Sequence, residues 1–171
     1  MTTLWVDASS GASGDMLLGA LVGAGVPVGA VQRAVDAVSP EPVALRVEAV
    51  TRHGFAATRV HVTTHEPNPP RRTLPQVLEL LSRLTPPVQA AATRTFELLA
   101  AAEARVHGIA ADAVHFHEVG ALDALADVAG GCAGLLSLGL SELTAGPIAL
   151  GGGTVATAHG RLPVPGPAVL A

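Results

Sequence analysis

The chain has 171 residues, of which 49% are hydrophobic, 14% charged and 2% aromatic, so it is long enough to bury one substantial core built mainly from Ala, Val and Leu. All 10 basic residues are Arg, which excludes chemistry that needs a lysine amine, such as a Schiff base or the lysine of a P-loop. The formal net charge is -4, and the basic residues are scattered apart from Arg71 and Arg72, so we expect no nucleic-acid partner.

Hydrophobic periodicity alternates along the chain between strand and helix patterns. The predicted elements are, in order, a strand at 4–6, helices at 15–24 and 28–38, a hairpin of strands at 43–50 and 56–64, helices at 73–84, 88–107 and 121–138, and a strand at 143–150. Gly25 and Gly108 provide helix stop signals. The alternation predicts an α/β or α+β fold, with helices packed on a small sheet in one layered domain.

Neither of the two long apolar stretches, 17–31 and 119–140, predicts a membrane span. Pro27 interrupts the first, while Asp123 and Asp127 place charges in the second. A spanning helix needs roughly 20 predominantly apolar residues. No basic residue precedes the first apolar run, unlike in a secretory signal. We therefore expect a cytoplasmic protein with no membrane partner.

The strongest candidate for chemistry is the segment His115-Phe116-His117-Glu118. Residues two apart in an extended backbone project to the same side, so His115 and His117 can offer two imidazoles to one metal ion while Phe116 faces the core. Glu118 is then directed toward a different side. The alternative is that the two histidines simply form the polar face of a strand.

Asp123 and Asp127 follow within a few residues and lie on one helical face at a spacing of four. They can add carboxylates to the histidine cavity or orient the imidazoles. Three carboxylates so close together in a weakly charged chain favour a metal or catalytic site over a solvated helix surface. Imidazole and carboxylate ligands suit nickel, zinc, manganese or iron, so the ligand set alone does not select the metal.

The loop between the first strand and the first helix is a second candidate, because free amides at a helix start and permissive glycines suit an anionic group. Its candidate cofactor-binding residues are Ser10, Gly11, Ser13 and Gly14. Asp7 and Asp15 would repel an anion in this loop unless a metal ion lies between the carboxylates and the anion. Both are therefore candidate metal ligands. The alternative is a tight turn with Asp15 as a favourable N-terminal acid. We expect this loop to line the histidine cavity.

Four blocks of the sequence together resemble the nickel-insertion family of lactate racemase maturation. The blocks are Asp7 with Ser10-Gly11-Ala12-Ser13-Gly14-Asp15-Met16 and Leu18-Gly19-Ala20-Leu21, Glu103-Ala104 with Val106-His107-Gly108, Val114-His115-Phe116-His117-Glu118-Val119-Gly120-Ala121 with Asp123 and Asp127, and His159-Gly160 with Leu162-Pro163-Val164-Pro165. The resemblance spans the whole chain but only the N-terminal part of the family's architecture, so residues 1–171 are expected to form a truncated N-terminal domain.

The resemblance implies a nickel chelatase of the lyase class. Its reaction would insert nickel into pyridinium-3,5-bisthiocarboxylic acid mononucleotide, the thiolated substrate, to form the nickel-pincer nucleotide cofactor. It also implies CTP with Mg or Mn at a C-terminal domain or a separate CTP-binding subunit outside this chain, and a homo-oligomer is expected. Two alternatives stay open: a metal-dependent hydrolase, since a His-x-His pair also begins several zinc hydrolase sites, and a non-catalytic nickel metallochaperone.

Overall fold

The computed structural model of the chain describes residues 2–65, 70–116, 119–157 and 160–171. Its elements follow in the order β1 (Thr3–Val6), α1 (Gly14–Gly23), α2 (Val28–Val38), β2 (Ala44–Arg52), β3 (Phe55–Thr63), α3 (Leu74–Leu81), α4 (Pro86–His107), α5 (Leu122–Ser137), β4 (Glu142–Ala145), β5 (Thr154–Thr157), β6 (Gly160–Pro163) and α6 (Pro167–Leu170). A 3-10 turn, Ala111–Ala113, lies between α4 and α5. The predicted mixed class of helices and strands is confirmed.

The helices follow the hydrophobic periodicity of the sequence. Helix α2 has the predicted bounds, and α4 ends at His107 because Gly108 adopts a left-handed conformation with φ 65°, which glycine accepts without steric cost. Thr73 precedes α3, and its backbone N–H donates to the Gln76 side chain at 2.8 Å, as in a capping box. Within the described ranges, no helix combines the length and the apolar character needed to cross a lipid bilayer.

The strands of the described residues form three two-stranded sheets. Strand β1 runs parallel to β4, with Leu4 opposite Leu143, while β2 and β3 form the predicted antiparallel hairpin. The last predicted strand, at 143–150, is too long: β4 ends at Ala145, and the next residues are Gly146 and Pro147, which are unfavourable in a strand. The β5–β6 hairpin was not predicted, because each of its strands has only four residues.

Helix α1 is held between the hairpin and α5 by close backbone approaches. A Cβ on Gly19 would lie 2.5 Å from the Thr58 carbonyl oxygen on β3, and a Cβ on Gly130 in α5 would lie 2.7 Å from Val31 and 3.1 Å from Leu18. Only glycine permits such contacts without displacing the neighbouring backbone or side chain. Helix α1 therefore lies directly against both β3 and α5.

Candidate functional site

Three carboxylates border one cavity of about 340 Å³, hereafter the carboxylate cavity: Asp15, Asp123 and Asp127. Asp15 lies in the first turn of α1 and Asp123 in the first turn of α5, where the positive end of the helix dipole favours a carboxylate. Asp127 follows one turn later in α5. The structure thus brings together the first-helix carboxylate and the pair that the sequence placed on one helical face.

Asp127 lies in an electrostatically unfavourable environment. Its Oδ1 atom is buried and has no hydrogen-bond partner within the described part of the chain. Burial raises the pKa of Asp127 to about 6, and the negative charges of Asp15 and Asp123 contribute to the rise. Gly14 packs directly against this side chain, since a Cβ there would lie 2.5 Å from Asp127 Cγ. A buried acceptor without a donor, beside two like charges, is a position that a cation would stabilise.

Asp15 and Asp123 are each held by one local hydrogen bond. The Ser13 hydroxyl donates to Asp15 Oδ1 at 2.5 Å, and the Ala124 backbone N–H donates to Asp123 Oδ1 at 2.8 Å. Both hydrogen bonds are accepted by Oδ1, and neither involves the Oδ2 atom. Both residues are exposed, so their remaining oxygens are accessible from solvent.

Strand β3 completes the carboxylate cavity with Arg59 and His61. They flank Val60, which is 1% exposed, so strand alternation places both polar side chains on the face opposite the core. The His61 ring nitrogen Nε2 lies 2.5 Å from Glu48 Oε2 on β2, and this hydrogen bond is the main cause of the lowered pKa of Glu48. The sequence predicted the solvent-facing side of the hairpin but not its position beside α1 and α5.

The predicted histidine segment is described at His115 and Phe116; His117 and Glu118 lie outside the described residues, as does His159. Phe116 is 1% exposed, and its ring packs edge-to-face against Phe96 with centroids 5.9 Å apart. The expectation that Phe116 faces the core is confirmed. His115 is exposed and forms an isolated antiparallel bridge with Thr73.

His115 lines a second cavity, of about 590 Å³, and not the carboxylate cavity. This basic cavity is bordered by Arg71, His107, Ile109, Ala113, Val114 and His115. The sequence predicted His115 in one cavity with Asp123 or Asp127, and the described residues separate them. The physical reason is that His115 pairs with Thr73 in the antiparallel bridge, whereas Asp123 and Asp127 lie on α5.

The loop before α1 contributes less than predicted to the carboxylate cavity. Its last residues reach the cavity through Gly14 and through the bond from Ser13 to Asp15. Asp7 does not border that cavity; it accepts a bond from the Ser9 backbone N–H at 3.0 Å, and hydrogen bonds from Ser9 lower the pKa of Asp7.

The start of the loop lies against the segment that follows β4. The Ala8 carbonyl accepts hydrogen bonds from the backbone N–H groups of Gly11 at 3.0 Å and Ala149 at 3.1 Å. Gly11 has φ 93°, a left-handed conformation that suits glycine. Neither Ser10 nor Gly11 borders the carboxylate cavity, so their predicted cofactor-binding role stays a prediction.

No group of three or more His, Cys, Asp or Glu side chains in residues 2–65, 70–116, 119–157 and 160–171 is arranged closely enough to hold a metal ion. The three carboxylates border a common space without converging on one point. Their use as ligands requires side-chain rotation, which the exposed Asp15 and Asp123 permit.

Comparison with known proteins gives one consistent family. Residues 4–171 match the family described as Nickel insertion protein. A protein from Nocardioides sp. named pyridinium-3,5-bisthiocarboxylic acid mononucleotide nickel insertion protein is 61% identical over 171 residues, covering 99% of this chain and 43% of that protein. A relative from Thermomicrobium roseum, also named as a nickel insertion protein, is 48% identical over 171 residues, which cover 98% of this chain and 42% of that protein.

The chain spans about two fifths of the length of these curated relatives. No solved structure matches it.

Proposed function

The chain belongs to the nickel insertion protein family, and we propose that it binds Ni²⁺ at the carboxylate cavity and delivers it to pyridinium-3,5-bisthiocarboxylic acid mononucleotide. That substrate appears in the name of the Nocardioides relative. The observation that carries the proposal is the buried, unpartnered Oδ1 of Asp127 beside the charges of Asp15 and Asp123.

A divalent cation resolves the electrostatic conflict in this cavity. At neutral pH the three carboxylates repel one another, which is part of the reason that the pKa of Asp127 rises to about 6. A bound dication reverses the sign of the local field and favours ionised carboxylates. Nickel accepts both carboxylate oxygen and imidazole nitrogen as ligands.

We assign Asp15, Asp123 and Asp127 as oxygen ligands and His61 as a nitrogen ligand. The bond between His61 Nε2 and Glu48 Oε2 holds the imidazole and would leave Nδ1 as the nitrogen for the metal. A carboxylate behind a metal-bound histidine is a common way to fix ring orientation and raise ligand basicity.

Transfer from this cavity to the substrate follows from the nature of the donors. Carboxylates that do not converge in advance hold nickel weakly, and thiocarboxylate sulfurs are softer and stronger donors to it. Arg59 borders the same cavity, where its positive charge attracts the anionic thiocarboxylates toward the metal. Nickel is a substrate of this reaction, and it is transferred to the thiocarboxylates because they bind it more strongly than the carboxylates do.

The remaining features implied by the resemblance extend this proposal. A complete nickel chelatase of the lyase class would consume CTP with Mg²⁺ or Mn²⁺, and we place that step in the part of the family's length that this chain does not span. The sequence also predicted nickel binding by His115, His117 and Glu118, and by Asp7; these residues are not part of the present proposal. A homo-oligomeric state stays a prediction.

A single-turnover transfer assay tests the proposal. The chain, joined with the C-terminal CTP-binding part, is loaded with one equivalent of Ni²⁺ and freed of excess metal. It is then mixed with the thiolated mononucleotide, CTP and Mg²⁺, and the sulfur-to-nickel charge-transfer absorption is followed. We expect transfer by the native chain and by the control Asp112→Asn, an exposed position outside the cavity. We expect Asp127→Asn to lose transfer at least tenfold. Equal transfer by Asp127→Asn and the native chain would move the nickel site elsewhere.

Two other results of the same assay identify the alternatives. If nickel binds the chain but is not transferred to the substrate, the chain is a metallochaperone and does not insert nickel. Loss of sulfur from the substrate without formation of a nickel complex would instead indicate a metal-dependent hydrolase.

A further inference from the structure

The basic cavity is a second place where the described residues create ligand-binding chemistry. We propose that it binds the phosphate group of a pyridinium mononucleotide, separately from the nickel held at the carboxylate cavity. The proposal rests on the proposed function only for the choice of a pyridinium nucleotide as the ligand. Its own support is the composition and the construction of the cavity.

The polar side of the basic cavity consists of hydrogen-bond donors. Arg71 carries a permanently charged guanidinium with five N–H donors, and His115 supplies at least one ring N–H in any protonation state. His107 adds a third basic side chain to the same wall. No acidic side chain is among the described residues that border the cavity. Glu103 contacts His107 from one helical turn back, with Oε2 3.3 Å from Nε2, and does not border the cavity itself.

The donors are held in place by buried contacts on the residues next to them. Arg72, which is 8% exposed, donates through its guanidinium to the Gly120 carbonyl at 2.5 Å. The Arg72 carbonyl accepts the Phe116 backbone N–H at 3.0 Å, and Thr73 bridges His115. The backbones that carry Arg71 and His115 are therefore fixed side by side, which limits the entropy lost when a ligand is bound.

The other side of the cavity is apolar. Ile109, Ala113 and Val114 border it, with Val114 2% exposed and Ile109 45% exposed. A volume of about 590 Å³ falls in the range of roughly 300 to 1,000 Å³ typical of small-molecule sites, which combine apolar walls with a few polar groups. An apolar wall beside clustered donors fits a ring or sugar that carries an anionic group.

Phosphate is the anion that these donors suit best. A phosphomonoester carries a charge of about -1.5 to -2 at neutral pH and three strong acceptor oxygens, and arginine binds such groups through two parallel hydrogen bonds. A divalent metal is disfavoured at this place, because the Arg71 guanidinium repels it. The two sources of the phosphate to be distinguished are the nucleotide and inorganic phosphate.

Calorimetric titration of the chain in nickel-free buffer tests the inference. The ligands are nicotinic acid mononucleotide, nicotinic acid riboside, which lacks the phosphate, and inorganic phosphate. We expect the mononucleotide to bind at least tenfold more tightly than either of the others. We expect Arg71→Gln and His115→Gln each to weaken mononucleotide binding at least tenfold, while the control Arg83→Gln, at an exposed arginine outside the cavity, leaves it unchanged.

Equal affinity for the mononucleotide and the riboside would overturn the phosphate assignment, as would unchanged binding in both Arg71→Gln and His115→Gln. Equal affinity for the mononucleotide and inorganic phosphate would overturn the nucleotide assignment. Nickel titration of the same variants separates this inference from the proposed function: Arg71→Gln and His115→Gln should retain nickel binding, and loss of nickel in either would overturn the separation of the two sites. If the chain binds no nickel but binds the mononucleotide more tightly than the riboside, the proposed function is wrong and this inference is supported.

Discussion

Replacing Asp127 with Asn removes a negative charge that the fold holds in an unfavourable place. Burial, with the neighbouring charges of Asp15 and Asp123, raises the pKa of this carboxyl from its ordinary value of 3.8 to about 6. The native state therefore binds the Asp127 proton more tightly than the unfolded state does. The stability that this proton confers is fully present below about pH 4 and is lost as the pH rises through about 6.

The size of the effect follows from the change in pKa. At about 1.4 kcal/mol for each tenfold change in acid strength, a rise from 3.8 to about 6 corresponds to about 3 kcal/mol. Because the side chain stays partly open to solvent, screening reduces this, and we expect about 1 to 1.5 kcal/mol. Asp127→Asn should recover that amount at high pH, since the neutral amide has nearly the same shape.

The measurement is urea unfolding in nickel-free buffer at pH 4 and pH 8. We expect Asp127→Asn to be more stable than the native chain by about 1 to 1.5 kcal/mol at pH 8 and equal to it within about 0.5 kcal/mol at pH 4. Asp112→Asn, at an exposed position, serves as the control and should show no such difference. A variant that is less stable than the native chain at pH 8, or a difference that is the same at both pH values, would refute the reasoning.

Three further substitutions test the packing around the site. Gly14→Ala places a Cβ against the Asp127 side chain, so we expect a loss of about 1 to 3 kcal/mol in unfolding free energy and at least tenfold weaker nickel binding. Scanning calorimetry measures the first and titration calorimetry the second, and native values in both would contradict this. Gly19→Ala forces a Cβ to within 2.5 Å of the Thr58 carbonyl oxygen, and its thermal unfolding should show a similar loss, whereas an unchanged midpoint would mean that α1 does not lie so close to β3. Phe96→Ala removes a fully buried ring and should cost about 3 to 5 kcal/mol in urea unfolding, and a loss below about 1 kcal/mol would contradict its place in the core.

Much of the local structure was predictable from the sequence, because it depends on neighbouring residues. The bounds of α2 follow from its apolar spacing and from the prolines that flank it. The end of α4 follows from Gly108, and the burial of Phe116 follows from the alternation that exposes His115. Each of these features is set within one or two turns of chain.

The composition of the carboxylate cavity was only partly predictable, because it depends on contacts between distant segments. The spacing of Asp123 and Asp127 indicated a shared face, but nothing in the periodicity connects that face to His61. That connection is made by α1, which approaches β3 through Gly19. The bridge between His115 and Thr73, which places His115 at a different cavity, likewise joins segments that are distant in sequence.

The most direct test of the central claim is a calorimetric titration of the chain with Ni²⁺ at pH 7.5, compared with the same titration of Asp127→Asn and Asp112→Asn. We expect one nickel ion per chain for the native protein and for Asp112→Asn, and at least tenfold weaker binding for Asp127→Asn without loss of the folded state. Native affinity and stoichiometry in folded Asp127→Asn would contradict the assignment of the nickel site to the carboxylate cavity.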